Sequence, residues 1–416
     1  MPKTPMPKTP LPKAPLPTTD VTIAGGGIVG LSLALALRRG AGVSVLVCDP
    51  LPAGKDIGRA SAVAAGAQRM LAELGVWDAI APAAQPVSRM VVTDSRLSDP
   101  VRQAFISFDG AIAPDEPFAY IIENAVVTDA LRDAAEAAGV VSAATAVKGF
   151  ATRGTGLDLT LADGSRQRTG LLVAADGARS ALRSYAGIAW SGHDYDQSGI
   201  VATVGHERPH EGCAVQHFLP PGPFARLPLT GNRSSIVWTE RRADADALLA
   251  LDADDIVEEL ERRFGLDLGR ITLETELRAF PLGVGMARRF VGDRFAVIGD
   301  AAHLVHPLAG LGLNLGLRDV AVLAEAIVDN TRLGLPPGDA TVLDRYQRAR
   351  RFDTLTLGIA TDGLNRLFSN DRLPFRLARD LGLGIVDRMP GLKNFFIREA
   401  AGVVGAVPRL MRGEPL

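Results

Sequence analysis

The chain has 416 residues, 47% of them apolar, enough to bury a substantial core and to build more than one domain. Its formal net charge of −2 leaves no basic footprint for nucleic acid. Its two cysteines, Cys48 and Cys213, belong to no Cys-x-x-Cys pair, which argues against a disulfide framework or a thiolate zinc site and suits a reducing cytoplasm.

Residues 1–19, MPKTPMPKTPLPKAPLPTT, repeat Pro, Lys and Thr, with too little apolar surface to fold and no signal-peptide stretch; they read as a disordered basic tail. The chain is organised around residues 20–49, DVTIAGGGIVGLSLALALRRGAGVSVLVCD. Val21 to Ala24 reads as a buried parallel strand. Gly25-x-Gly27-x-x-Gly30 opens a helix to about Arg39, which Gly40 and Gly42 break. Val43 to Val47 is the next strand, with Cys48 a small core residue on it and Asp49 just past its end. Such a unit suits a dinucleotide: the glycines let backbone approach a pyrophosphate, the helix start offers free N–H groups, and the carboxylate meets a ribose. Val21 to Leu37 is uncharged, but its glycine turn predicts strand and helix rather than a membrane span.

Ala60 to Leu74 predicts a helix capped by Gly75, with Arg59 at its start, where a cation can reach a cofactor phosphate or ribose. Residues 87–95 and 101–108 predict paired strands of a second sheet. Asn124 to Ala138 is an amphipathic helix ended by Gly139, and strands then alternate with turns through 140–173, with a hairpin at Asp163-Gly164. VAADGARSALR, residues 173–183, carries a strand into Asp176-Gly177; alone, that pair is only a turn. Extended stretches dominate 190–290, around a helix over Ala253 to Phe264, and predict an antiparallel sheet that roofs a substrate pocket. His193, His206, His210 and His217 fall there without metal-ligand spacing.

FAVIGDAAHLVHPLAGLGLNLGLRDVAVLAEAI, residues 295–327, is the most specific motif. A strand over Phe295 to Ile298 ends at Gly299-Asp300, Pro307 stiffens the loop, and Gly310-Leu311-Gly312 opens a long helix with Asn314 in its first turn. A strand-end carboxylate suits sugar-alcohol hydroxyls, and a glycine-rich helix start suits negative charge on a ring. His303 and His306 have no visible third ligand, so no metal is expected.

These three motifs, in this order, resemble the FAD-dependent aromatic hydroxylases, the single-component flavoprotein monooxygenases. HPLAGLGLNLGLRDVAVLAEAI and RYQRARRFDTLTLGIATDGLNRLFSN further resemble the ubiquinone-biosynthesis hydroxylases of the polyprenyl-methoxyphenol type, a likeness covering roughly residues 20–400. The resemblance implies a mixed α/β fold: a Rossmann-like FAD-binding domain (20–86, 110–185 and 291–345), an inserted, mostly antiparallel substrate sheet (87–109 and 186–290) and a helical C-terminal region (346–416).

It also implies that Gly25, Gly27 and Gly30 cradle the FAD pyrophosphate and that Asp49 binds the adenosine ribose. Arg59 approaches the phosphates, Asp176 braces the flavin-side loops and Asp300 holds the ribityl chain. Gly310, Leu311, Gly312, Leu313 and Asn314 lie against the flavin, with Pro307 on the same loop. Members usually carry glutamine where this chain has Leu311, which removes one amide near the ring. The implied reaction is hydroxylation of a polyprenyl phenol by O2 through a flavin C4a-hydroperoxide, with NAD(P)H or a protein as electron donor; the residues name no catalytic base. Other readings are hydroxylation of another aromatic or polyketide substrate, a prenyl reductase on the same fold, or a non-catalytic prenyl-binding protein.

From Leu364 to Leu416, helices broken by Pro374, Pro390, Gly391 and Pro408 interleave apolar side chains with a basic excess. This pattern predicts a cytoplasmic protein held peripherally on an anionic membrane face, beside other quinone-biosynthesis proteins; packing on the flavin domain is the alternative. Truncation from about Met389 is accordingly expected to spare FAD and abolish liposome binding.

Overall fold

The computed structural model describes residues 18–50, 58–94, 106–109, 111–113, 116–265, 267–306, 310–368 and 401–416. Pro307 and residues 369–400 of the predicted interfacial stretch lie outside them.

Two large sheets organise the described residues. In the first, Val141–Ala143, Val45–Cys48, Thr18–Ala24, Arg166–Ala174 and Phe295–Val297 run parallel side by side. The hairpin Gly156–Leu161 and Val147–Arg153 continues it antiparallel. The parallel strands are almost wholly apolar because helices bury them: Val21, Ile23, Leu172 and Val173 are all at 0% exposure. Ile28–Ala41 and Leu311–Arg332 are among those helices, and they pack on each other. Residues expected to break the first of these behave differently. Gly42 caps it in the left-handed region at φ 62°, whereas Gly40 lies within it, where a Cβ would come 2.8 Å from Val328 Cγ2. Gly40 is therefore a close-approach residue.

The second sheet is nine-stranded. Trp190–His206, Arg233–Arg241, Gly222–Leu229 and Cys213–Leu219 pair antiparallel in that order, Arg278–Ala287 flanks the first of them, and Arg89–Asp94 adds in parallel beside the last. One face is sealed by Arg242–Leu248 and Ala253–Phe264 over Ile200, Phe224, Ile236 and Trp238. The short strand His303–Leu304 joins its edge, only a few residues after Phe295–Val297 leaves the first sheet. The Gly299–Ala301 turn thus lies at the seam between the sheets.

The predicted helix over Ala60 to Leu74 is corrected: Ala60–Ala64 is a strand and only Ala65–Glu73 is helical. Ala60–Ala64 pairs antiparallel with Ala119–Glu123, and this long-range ladder overrides the helical preference of its alanines. Residues 401–416 pack against the body. Leu410 and Met411 are buried in the main core, Gly66 donates its N–H to Ala401 O at 3.0 Å, and Arg409 pairs with Glu325 and Asp329. Arg412, whose side chain is 45% exposed, pairs with Glu414.

Candidate functional site

All three motifs leave the first sheet at one edge. Cys48, Ala24, Ala174 and Val297 occupy a single register row of four parallel strands. Just beyond that row, Gly25 and Asp49 follow after one residue, Asp176 after two and Asp300 after three, at the carboxyl ends, where open α/β sheets bind ligands. A Cβ at Gly25 would come 2.2 Å from Ala175 O, so the first two turns are in contact, and a Cβ at Gly30 would come 2.0 Å from Gly25 O. Gly27 differs: its φ is an ordinary −79° and no atom lies within 4 Å of a Cβ there. Asp49 accepts the Gly26 N–H through Oδ2 at 2.6 Å, which ties the second strand end to the glycine turn.

The third motif closes the opposite wall. Gly310 precedes the helix Leu311–Arg332 in the left-handed region at φ 65°, and a Cβ would overlap that of Ala62 at 2.8 Å. The Asn314 side chain clamps this start onto the Ala60–Ala64 strand. Its Oδ1 accepts Ala64 N–H at 2.9 Å, and its Nδ2 donates to Ala62 O at 2.7 Å and Gly310 O at 3.0 Å. Its amide protons are thereby committed to backbone. Leu311, Gly312 and Leu313 follow, each half-buried, on the first turn. Neither this helix nor Ile28–Ala41 has a side-chain N-cap or an acidic residue in its first turn. Both helix starts thus keep first-turn N–H groups without a side-chain cap, Asp49 being bonded one residue before the first of them, at Gly26.

Asp300 is open to solvent, yet the surrounding protein raises its pKa, with His303 and Arg59 pulling the other way. The carboxylate thus faces solvent at the seam between the two sheets, with protein packed around it. Arg59 is exposed and lies over the Phe280 ring at 5.1 Å, so it spans from the second sheet toward Asp300. Asp176 accepts Leu182 N–H through Oδ2 at 3.3 Å, while its Oδ1 is buried without a partner. Pairing register sets Val201, Ala225 and Val237 in one row, and Phe280 on the same sheet face; the first three are half-buried and Phe280 is 39% exposed. The sheet face opposite its two helices is thus apolar and open, with Arg59 over Phe280 at its end.

The FAD binding domain family matches residues 18–353. The chain belongs to this flavoprotein family. It is 46% identical to the ubiquinone hydroxylase UbiL of Rhodospirillum rubrum, over 95% of this chain and 93% of that one. It is 35% identical to the 3-demethoxyubiquinol 3-hydroxylase of Escherichia coli, over 92% and 99%. In fold it is similar to the p-nitrophenol 4-monooxygenase PnpA of Pseudomonas putida, with a TM-score of 0.78 at 20% identity, over 93% and 99% of the two chains. The resemblance carried by the three motifs is thereby borne out, and the protein is an FAD-dependent monooxygenase.

The cleft of this flavoprotein fits its cofactor. An open position at Gly27, two uncapped helix starts, a solvent-facing carboxylate at Asp300 and an orphaned Asp176 oxygen suit a ligand bearing phosphates, hydroxyls and a polar ring. Several positioning contacts were not assigned from sequence. Arg183 stacks over Trp190 at 4.1 Å and donates to Ala178 O and Ala301 O at 3.2 and 2.9 Å, bolting the second motif to the third. Its place in VAADGARSALR was visible, but its partner lies 118 residues away. His303 Nε2 meets Asp319 Oδ2 at 2.6 Å, both buried. A carboxylate inside the apolar run of Leu311–Arg332 was the available signal.

Proposed function

We propose that the protein hydroxylates the aromatic ring of a polyprenyl phenol, a ubiquinone precursor. The observation that carries this reading is the 46% identity to a ubiquinone hydroxylase across nearly the whole chain. Bound FAD supplies reduction of O2 and transfer of one oxygen atom to the ring, the second oxygen leaving as water. The chain's own residues bind, orient and shield. Gly25, Gly27 and Gly30 let the glycine turn take the pyrophosphate, and Asp49 takes the adenosine ribose. Arg59 stands by the phosphates, Asp176 braces the turns, and Asp300 accepts hydrogen bonds from the ribityl hydroxyls. Gly310, Leu311, Gly312 and Leu313 present helix-start N–H groups to the pyrimidine edge, where reduced flavin carries negative charge. Asn314 acts there through its side-chain clamp, which holds the helix start in place. The apolar wall of Val201, Ala225, Val237 and Phe280 holds the ring and excludes water.

We assign 20–86, 110–185 and 291–345 to the flavin-binding domain and 87–109 with 186–290 to the substrate sheet, whose inner face is that apolar wall. Electrons come from outside the chain, from NAD(P)H or a protein donor. A polyprenyl tail partitions into lipid, so the enzyme works at a membrane face as a peripheral protein of the cytoplasm; among the described residues no helix is long and apolar enough to cross a bilayer. Turnover of the holoenzyme with a short-chain prenyl phenol under labelled O2 tests the reading. One labelled oxygen on the ring is expected, and an unlabelled or reduced product would reject hydroxylation.

A further inference from the structure

The Gly299–Ala301 turn that presents Asp300 is held from beneath by a buried ionic chain. Asp319 is the hub, at 0% exposure. Its Oδ2 accepts both the Gly299 N–H at 2.9 Å and the His303 Nε2 at 2.6 Å, so one oxygen grips the turn before and after Asp300. Its Oδ1 accepts Arg350 Nε at 2.7 Å. Arg350 lies at 0% exposure on the long helix Ala340–Phe368. The same helix face reaches the same place twice more: Tyr346 donates to Val297 O at 2.9 Å, and Gln347 Oε1 accepts Phe290 N–H at 3.0 Å. Three side chains of one helix thus fix the strand end and turn that carry Asp300.

Stability alone does not account for this arrangement. A buried ion pair gains little over an apolar replacement, because desolvation offsets the attraction. Here the cost is not fully compensated: Arg350 Nη2, Thr354 Oγ1 and His303 Nδ1 are buried without partners. What the chain secures is geometry, since a charged carboxylate accepting from three sides has one orientation.

We infer that Arg350 is a positioning residue for the cofactor, acting through Asp319 on the Gly299–Asp300 turn. This rests on the proposed role of Asp300 as a cofactor ligand. The long helix is then a structural part of the flavin site although none of its residues needs to touch FAD. Arg350→Met removes the cation and the Nε donor while keeping an unbranched side chain, so Asp319 Oδ1 loses its partner and the carboxylate that grips the turn is held through Oδ2 alone.

The test is a double-mutant cycle on the full chain with R350M, D300A and the double variant, measuring FAD affinity by flavin-fluorescence titration of the apoproteins. Loss of one charge-assisted hydrogen bond on the turn predicts an FAD Kd raised on the order of tenfold by R350M, with the effect largely gone when D300A is already present. Purely structural damage lowers affinity by the same factor in both backgrounds, and that result overturns the relay while leaving Asp300 in place. D300A that leaves the Kd unchanged removes Asp300 from the site and the relay with it. If R350M does not fold, R350K supports the same cycle: it keeps the charge but lacks the Nε fork, and full wild-type affinity in R350K would also overturn the assignment.

Discussion

Gly27 and Gly30 belong to one motif but are glycines for different reasons, and exchanging each for alanine separates protein from cofactor. At Gly30 a Cβ would lie 2.0 Å from Gly25 O and 3.1 Å from its carbonyl carbon, an overlap with backbone that cannot swing away. Forcing the helix off the turn costs about 1–3 kcal/mol, so Gly30→Ala should lower the stability of the apoprotein and its FAD affinity together. At Gly27 the backbone is ordinary and the space is open. Alanine there lowers unfolded-state entropy, worth about 0.4–1 kcal/mol in its favour, and is a poorer N-cap than glycine, which costs a similar amount. The terms offset, so Gly27→Ala apoprotein should unfold within about 1 kcal/mol of wild type. Its FAD Kd should nonetheless rise at least tenfold, about 1.4 kcal/mol, because the methyl group occupies the space assigned to the pyrophosphate. Urea unfolding of both apoproteins and FAD titration read the two quantities separately. Gly27→Ala protein that binds FAD within about twofold of wild type would refute the placement of the phosphates.

Asp300→Asn should lose most bound flavin, read as the flavin-to-protein absorbance ratio of the purified protein. The same substitution makes a pH statement. The folded carboxyl holds its proton more tightly than the unfolded one, so its stability contribution is complete below the ordinary carboxylate pKa and is lost as pH rises through the raised folded value. Apoprotein carrying D300N should therefore be at least as stable as wild type at neutral pH, with a flatter stability profile through the mildly acidic range; a steeper one would contradict the cleft assignment. Met411→Ala, at 1% exposure against the main core, should cost about 2–4 kcal/mol by urea unfolding, and deletion of 401–416 should lose FAD through loss of fold. This replaces the expectation that truncation from Met389 spares the cofactor, and a stable, yellow truncated protein would restore it. Leu311→Gln should keep FAD, since Gly310 and the Asn314 clamp shape that turn; a flavin-free variant would make Leu311 a packing residue.

The features legible in the sequence were those written in local pattern. Apolar runs ending in Gly25, Asp49, Asp176 and Asp300 announce parallel strands with chemistry at their carboxyl ends, and the shared register row is the physical reason the pattern works. Features decided by long-range partners were not legible. Ala60–Ala64 has helical composition and becomes a strand through its pairing with Ala119–Glu123. Gly40 resembles a helix breaker until Val328 and Leu416 come to lie against it. Arg183 and Asp319 lie within recognised motifs and Arg350 in a charged helix, but only folding shows that each is buried and which distant turn it joins. Composition shows the arginines near the C-terminus but not their partners: Glu325 and Asp329 for Arg409, and Glu414 for Arg412.

The central claim is ring hydroxylation of a ubiquinone precursor, and quinone analysis of cells lacking the protein tests it most directly. Accumulation of a polyprenyl phenol one ring hydroxyl short of the normal intermediate is expected, with ubiquinone restored by the wild-type chain and not by the D300A variant. An unchanged quinone profile in the deleted cells, or full restoration by D300A, would contradict the account.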